Sequence, residues 1–318
     1  MSAWHFHAIP PADWAAQCAS DGALFHSELW LRLLQDGFGA EPLFGLHAAS
    51  RTRLPLTVFK AGPFRIGYAG FPCSALQGSV TALAELGGGH FERPVDLLRA
   101  SLPGMGTARI QQAPSASVPE TIIEHLQGWS AAALPKLERD LKKASRSDLV
   151  VMAGGSAEDA EDWHRLYLQT VQRHDGQARY PQTYFRALLR RLPQPRFAAW
   201  HALHQGQLAG FCIAAIDAGT GYYLHGAVDP SCRSLGVTDR LLAEAIRWAQ
   251  KAGAVRFSLM ASPPTQPGLI RYKEKWGGIT RPLHSWEWQP RPLRAAAFKQ
   301  AVALRGRWLA LTTRQATT

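Results

Sequence analysis

The sequence predicts an α/β (α+β) protein of two domains, with a mixed, mostly antiparallel sheet flanked by helices. Three observations carry this reading. The chain has 318 residues, which exceeds one ordinary small domain and suits two of roughly 130–160 residues each. Hydrophobic residues make up 46% and charged residues 19% of it, enough for a sizeable core and too apolar for a disordered chain. From residue 149 the periodicity runs strand, two helices, three antiparallel strands, helix, strand, helix, strand. The expected division is residues 1–130, residues 131–290 and a basic tail, 291–318.

In the first half, Leu24–Leu34 places apolar residues at helical spacing behind a cap at Ser27. Strand patterns follow at Pro42–Ala48, Leu54–Lys60 and Phe64–Phe71, divided by Gly62-Pro63 and ended by Pro72. Gly87-Gly88-Gly89 reads as a loop, without the strand-then-helix setting of a phosphate cradle. The Pro/Ser-rich stretch Pro114–Pro119 is expected to lead into a short helix. Leu134–Ser147 is an amphipathic helix, with Leu134, Leu137, Leu141 and Ala144 on one face. Lys136, Arg139, Lys142, Lys143 and Arg146 lie off that face, as a solvated surface or as an anion-binding one.

The second half has clearer punctuation. Leu149–Ala153 is a strand, and Ser156 with its acidic neighbours opens a helix over Ala157–His174. A second helix starts after Tyr180-Pro181 and stops near Leu192-Pro193. Gln205-Gly206 turns strand Arg196–His204 back into Gln207–Asp217, and Gly219-Thr220-Gly221 leads into Tyr222–Val228. After the loop Asp229–Gly236 comes a helix, Val237–Ala252, closed by Gly253. A buried strand Val255–Met260, a helix Leu269–Trp276, the stop Gly277-Gly278 and a strand Ile279–Gln289 complete the order.

Residues 1–130 hold 8 Lys/Arg against 10 Asp/Glu, whereas residues 131–318 hold 27 against 14, a net +13 of the chain's +11. That half attracts anions, among them phosphates, coenzyme A, tRNA and acidic lipid heads. Cys18, Cys73, Cys212 and Cys232 form no C-x-x-C pair, which suits reduced thiols in the cytoplasm and argues against a zinc ribbon or disulfide scaffold. No run reaches the ~18 apolar residues of a membrane span, and the first residues lack the pattern of a signal peptide.

The element order from Leu149 to Gln289 resembles the GNAT fold from end to end. Within it the chain is similar to the FemABX-like branch, whose members hold two GNAT-like domains in tandem, so residues 1–130 would be a degenerate copy. Phe25–Trp30, Leu54–Leu56 with Phe64–Pro72, and Leu137–Ala144 resemble that family's early helix, strand pair and charged linker helix. Arg271-Tyr272-Lys273-Glu274-Lys275-Trp276-Gly277 matches its F/Y-K-x-x-F/W-G signature. The resemblance implies an acyltransferase that moves an acyl or aminoacyl group from acyl-coenzyme A or aminoacyl-tRNA to an amine. Such activity serves cell-envelope, polysaccharide or natural-product synthesis.

Such a reaction needs an anchor for the donor's phosphates, a donor to the oxyanion and a group that takes the amine's proton. Arg233-Ser234-Leu235-Gly236-Val237-Thr238 lies between a strand and a helix N-terminus, where free N–H groups and the helix dipole favour anions. It resembles the GNAT pyrophosphate loop, R/Q-x-x-G-x-G/A, from which Thr238 departs at the last position. The resemblance assigns Lys273 to charge on the transferring carbonyl, and Tyr272 to protonation of the leaving group. Neighbouring helix positions point about 100° apart, which favours one of the two facing the site. His225 is a candidate base, sharing a strand face with Tyr223 two positions earlier, and Asp229 is an alternative. His201 and His204 fall on opposite strand faces, against a shared metal, and Cys212 reads as a small core residue.

The tail carries Arg291, Arg294, Lys299, Arg305, Arg307 and Arg314 and no acid; Phe298, Val302 and Leu309, with Trp308 nearby, form a helical stripe. It packs on the domain or meets tRNA or an anionic membrane surface. A non-catalytic RNA- or membrane-binding protein that retains the fold is the competing functional class.

Overall fold

The computed structural model describes residues 3–72, 80–103, 113–173 and 177–315, with side chains described through residue 304. Cys73, His174 and the side chains of Arg305, Arg307, Trp308, Leu309 and Arg314 lie outside it. The chain forms two compact units that do not follow a single cut near residue 130. One comprises Met1–Ala12, Ala40–Ser115 and Ser285–Thr318; the other comprises Asp13–Gly39 and Ala116–His284.

The first unit is built on β1 (Trp4–His7), β2 (Glu41–His47), β3 (Arg53–Ala61), β4 (Phe64–Ala69), β5 (His90–Phe91) and β6 (Leu97–Pro103), in the order β5-β1-β2-β3-β4-β6. The pairs β1–β2, β2–β3 and β3–β4 are antiparallel, the last two joined by short turns, while β5 and β6 join in parallel. Alternating inward residues Leu54, Leu56 and Val58 meet Trp4, Phe6, Leu98, Trp286 and Trp288 in its core. The tail helix packs here too. Ala295 is fully buried, Phe298 lies edge-on to Phe64, and Arg294 Nε donates to Asp96 Oδ1 at 2.7 Å. Arg291 also faces Asp96, and Lys299 reaches Glu287 at 2.7 Å, so three basic residues of the tail are spent on internal acids.

The second unit contains α1 (Trp14–Asp21), α2 (Glu28–Phe38), β7 (Ala116–Ile123), α3 (Pro135–Ala144), β8 (Leu149–Ala153), α4 (Ala160–Arg173) and α5 (Gln182–Leu189). These are followed by β9 (Phe197–His204), β10 (Gln207–Asp217), β11 (Thr220–Val228), α6 (Val237–Lys251), β12 (Arg256–Ala261), α7 (Pro267–Glu274) and the start of β13 (Ile279–Trp288); α8 (Pro292–Gln315) is the tail helix. The strands run β13-β7-β12-β11-β10-β9-β8. Pro114–Pro119 therefore does not lead into a helix. β7 begins within it and pairs antiparallel with β12, because Thr121, Ile122 and Ile123 suit a strand and the Pro119 carbonyl still accepts from Ser262.

Several local signals act as read. The Ser27 hydroxyl accepts from Trp30 N, Ser156 and Asp159 form a capping box, and Gln205-Gly206, both at positive φ, make the β9–β10 turn. Residues 13–39 join this unit because α2 packs on α5. Gly37 permits the approach: a Cβ there would stand 2.8 Å from the Tyr184 Cα, and Thr183 Oγ1 donates to the Gly37 carbonyl at 2.6 Å. The apolar face of α6 (Val237, Leu241, Ala245, Ile246, Ala249) fills the core with Cys212, Ala214, Phe257 and Leu259. Burial raises the Cys212 thiol far above the usual range, which agrees with its reading as an inert core residue.

Candidate active site

The site begins where the sheet of the second unit parts. β11 and β12 pair in parallel only over Thr220–Tyr222 and Arg256–Ser258, after which β11 runs on to Val228 and β12 to Ala261 without pairing to each other. Just past that point β11 bulges. His225 pairs with Ile213 and Tyr223 with Ala214, which leaves Leu224 without a partner on β10. The bulge corrects one expectation. His225 and Tyr223 pair with adjacent residues of β10, so they lie on opposite faces of the sheet rather than on one. Tyr223 packs with the α6 core, and His225 turns toward α5.

His225 is 7% exposed and boxed by the rings of Tyr180, Tyr184 and Phe185, with Nε2 at 3.0 Å from the Tyr184 hydroxyl. Burial lowers its pKa to about 3. An imidazole so held does not take up a proton near neutrality and is a weak base there. Asp229 is committed as well: its Oδ1 accepts from the backbone N–H and hydroxyl of Ser231, and those bonds hold its carboxyl below the usual range.

Beyond β11 the chain makes a helical turn over Pro230–Leu235 and enters α6 through Gly236, at φ 74°. Gly236 has no side chain with which to cap α6, so the helix N-terminus stays available to an external acceptor. The turn is backed by the end of α3. A Cβ on Gly236 would stand 2.5 Å from the Ala144 Cβ, and Ser147 Oγ donates to the Leu235 carbonyl at 3.3 Å. Arg233 is exposed, Leu235 and Thr238 are half-buried, and Val237 is fully buried.

The Tyr272 and Lys273 side chains diverge, as their helical offset requires. Tyr272 turns to the first turn of α6, where its hydroxyl donates to Asp239 Oδ1 at 2.9 Å. Lys275 Nζ joins the same carboxylate at 3.0 Å to each oxygen, reaches Asp140 of α3 at 3.1 Å, and stands 4.9 Å above the Tyr272 ring. Burial, then the charge of Asp239, raises the Tyr272 phenol well above its ordinary value, so it remains a proton donor. Asp239 and Lys275 were not singled out from sequence; only their contact reveals them.

Lys273 turns instead to the end of β12 and is 6% exposed. Its ammonium donates to the carbonyls of Met260 at 2.8 Å and Ala261 at 3.0 Å, where Met260 holds a left-handed backbone at φ 64°. Burial lowers its pKa to about 8, against the pull of the Glu120 carboxylate. Glu120, on β7, was also missed; its Oε1 accepts from Ser258 Oγ at 2.6 Å, and burial raises its pKa.

Residues 133–274 match the family described as "Acetyltransferase (GNAT) domain". That segment is similar to a GNAT domain, and the fold of the chain is similar to that of FemX. Among solved structures, FemX matches with a TM-score of 0.59 at 10% identity, covering 84% of this chain and 92% of that one. The C-terminal domain of a putative lysylphosphatidylglycerol synthetase from Agrobacterium fabrum matches at 0.55 and 13%, covering 92% and 96%. A tandem GNAT protein from the clavulanic acid biosynthesis pathway matches at 0.53 and 12%, covering 90% and 98%. At such identities these likenesses concern the fold, a mixed sheet in tandem GNAT-like arrangement. No curated protein matches the chain. No helix among the described residues is long and apolar enough to cross a membrane.

Proposed function

We propose that the chain is an N-acyltransferase, moving an acyl or aminoacyl group from acyl-coenzyme A or aminoacyl-tRNA onto an amine on the cytoplasmic side. The observation that carries this is the parting of β11 and β12 beside a buried ammonium, within a GNAT domain. Two hydrogens of the Lys273 ammonium hold the Met260 and Ala261 carbonyls, and the third is left for an oxygen that gains charge as the amine attacks. The donor's phosphates lie on Arg233 and the backbone of Leu235, Gly236, Val237 and Thr238 at the start of α6. Tyr272, kept protonated, hands its proton to the leaving thiolate or ribose oxygen.

The test is turnover of Lys273→Ala with acetyl-coenzyme A and with charged tRNA, against primary amine acceptors. Loss of the ammonium is expected to lower kcat by roughly 100- to 1000-fold while the folded state persists. Turnover equal to the parent's refutes the assignment.

A second reading rests on α3 and the turn that follows it, where Lys136, Arg139, Lys142, Lys143 and Arg146 are all exposed. There the chain binds RNA or an anionic membrane surface without catalysis. Salt-sensitive binding of tRNA or anionic vesicles, with no transfer from either donor, would select this alternative.

A further inference from the structure

Glu120 stands just outside the residues that match the acetyltransferase family, on a strand that begins in a Pro/Ser-rich stretch. The residue is 8% exposed. One oxygen, Oε1, is fixed by the Ser258 hydroxyl, and the Ser258 oxygen in turn accepts from Met260 N at 3.0 Å. The other oxygen accepts no hydrogen bond among the described residues. Ladder register locates the group. Ser258 pairs with Tyr222 on one side and Ile122 on the other, so these three share a face, and Glu120 lies two residues before Ile122 on that same face. Tyr222 and Ser258 are the last pair before β11 and β12 part. A half-fixed carboxylate thus sits at the apex of the opening.

We propose that Glu120 is a catalytic residue of the acyl transfer, the base whose free oxygen takes the proton from the attacking amine; this rests on the acyl-transfer reading above. The amine nitrogen forms its bond to the donor carbonyl carbon, and the displaced π electrons go to the oxygen facing Lys273. The N–H proton passes to Glu120. Collapse restores the carbonyl and breaks the thioester C–S or aminoacyl-ester C–O bond, while Tyr272 protonates the leaving group; solvent then reprotonates Tyr272 and accepts the proton from Glu120.

Burial supports the role, since a carboxyl with a raised pKa is a stronger base than an exposed one. The charged groups about it are Lys273 from α7, which favours the ionised form, and Glu124 farther along its own segment, which opposes it. Glu124 is itself paired with Arg281 of β13 at 3.2 Å. From β12 the facing group is the neutral Ser258.

Glu120→Gln keeps an acceptor for Ser258 but cannot take a proton. It is expected to lower kcat at least about 100-fold with KM and melting temperature little changed, and to abolish the acidic limb of the pH profile. Ser258→Ala removes a bond that favours the ionised carboxylate, so the acidic limb should move to higher pH, a shift that a merely structural glutamate would not produce. The proposal is overturned if Glu120→Gln keeps the parent's turnover and acidic limb, if its loss of turnover matches its loss of folded protein, or if Ser258→Ala leaves the limb in place. A parent chain without transfer from either donor overturns the acyl-transfer reading itself, and this proposal with it.

Discussion

Lys273→Met should make the stability of the second unit depend on pH differently from that of the parent. An ordinary lysine titrates near 10.5, and burial brings Lys273 to about 8. At pH 7 both folded and unfolded chains carry the proton, and the folded chain bears the full cost of the buried charge, about 3 kcal/mol. Between pH 8 and 10.5 the folded state sheds the proton while the unfolded state keeps it, so the cost fades and stability rises with pH. From pH 7 to pH 10 the gain is roughly 2–3 kcal/mol. Methionine has no such titration.

The variant also loses two hydrogen bonds to the Met260 and Ala261 carbonyls, but that loss is common to both pH values while the parent's amine goes on donating to those oxygens. The quantity to measure is the parent's unfolding free energy minus the variant's, from urea titrations at pH 7 and pH 10 followed by tryptophan fluorescence. Trp276, three residues away and fully buried, reports on the site. The difference should rise by roughly 2–3 kcal/mol over that interval. A difference that stays constant, or that falls as it would if Glu120 held the ammonium more strongly than burial opposes it, refutes the reasoning.

Gly236→Ala should destabilise by about 2–5 kcal/mol. This combines about 1–2 kcal/mol for a left-handed alanine with the overpacking of a Cβ placed 2.5 Å from Ala144. The double variant Ala144→Gly/Gly236→Ala should recover the packing part in a thermal melt. Asp217 is 2% exposed, accepts from Phe25 N at 2.8 Å, and has its pKa raised by burial to about 6. Its folded form holds the proton to higher pH than the unfolded one, so this group costs stability as pH rises from about 4 to 6. Asp217→Asn keeps an acceptor without the charge and should raise unfolding free energy at pH 7 by up to about 3 kcal/mol, with no gain at pH 4.

The strand and helix order from Leu149 onward could be read because each boundary there has a local chemical marker. Ser156 with Asp159 closes a capping box, Gln205-Gly206 suits a turn that needs positive φ, and Gly253 ends α6. β7 has no such marker. Pro119 interrupts it, Ser117, Glu120 and Thr121 are polar, and what makes it a strand is pairing with β12, more than 130 residues later in the chain. Losing β7 meant losing Glu120. The placement of residues 13–39 in the second unit was hidden for the same reason, since nothing local marks the contact between Gly37 and Tyr184.

Among the candidate residues, periodicity told that Tyr272 and Lys273 would diverge, but not what either would meet. A bulge of one residue at Leu224 reversed the relation of Tyr223 to His225, and aromatic burial then removed His225 as a base. Those two facts leave the opening without the proton acceptor first expected of it. The group that can replace it came from a strand identifiable only through its distant partners. The element order was therefore a matter of local signals, whereas the chemistry of the site depends on register, and register is set between segments far apart in the chain.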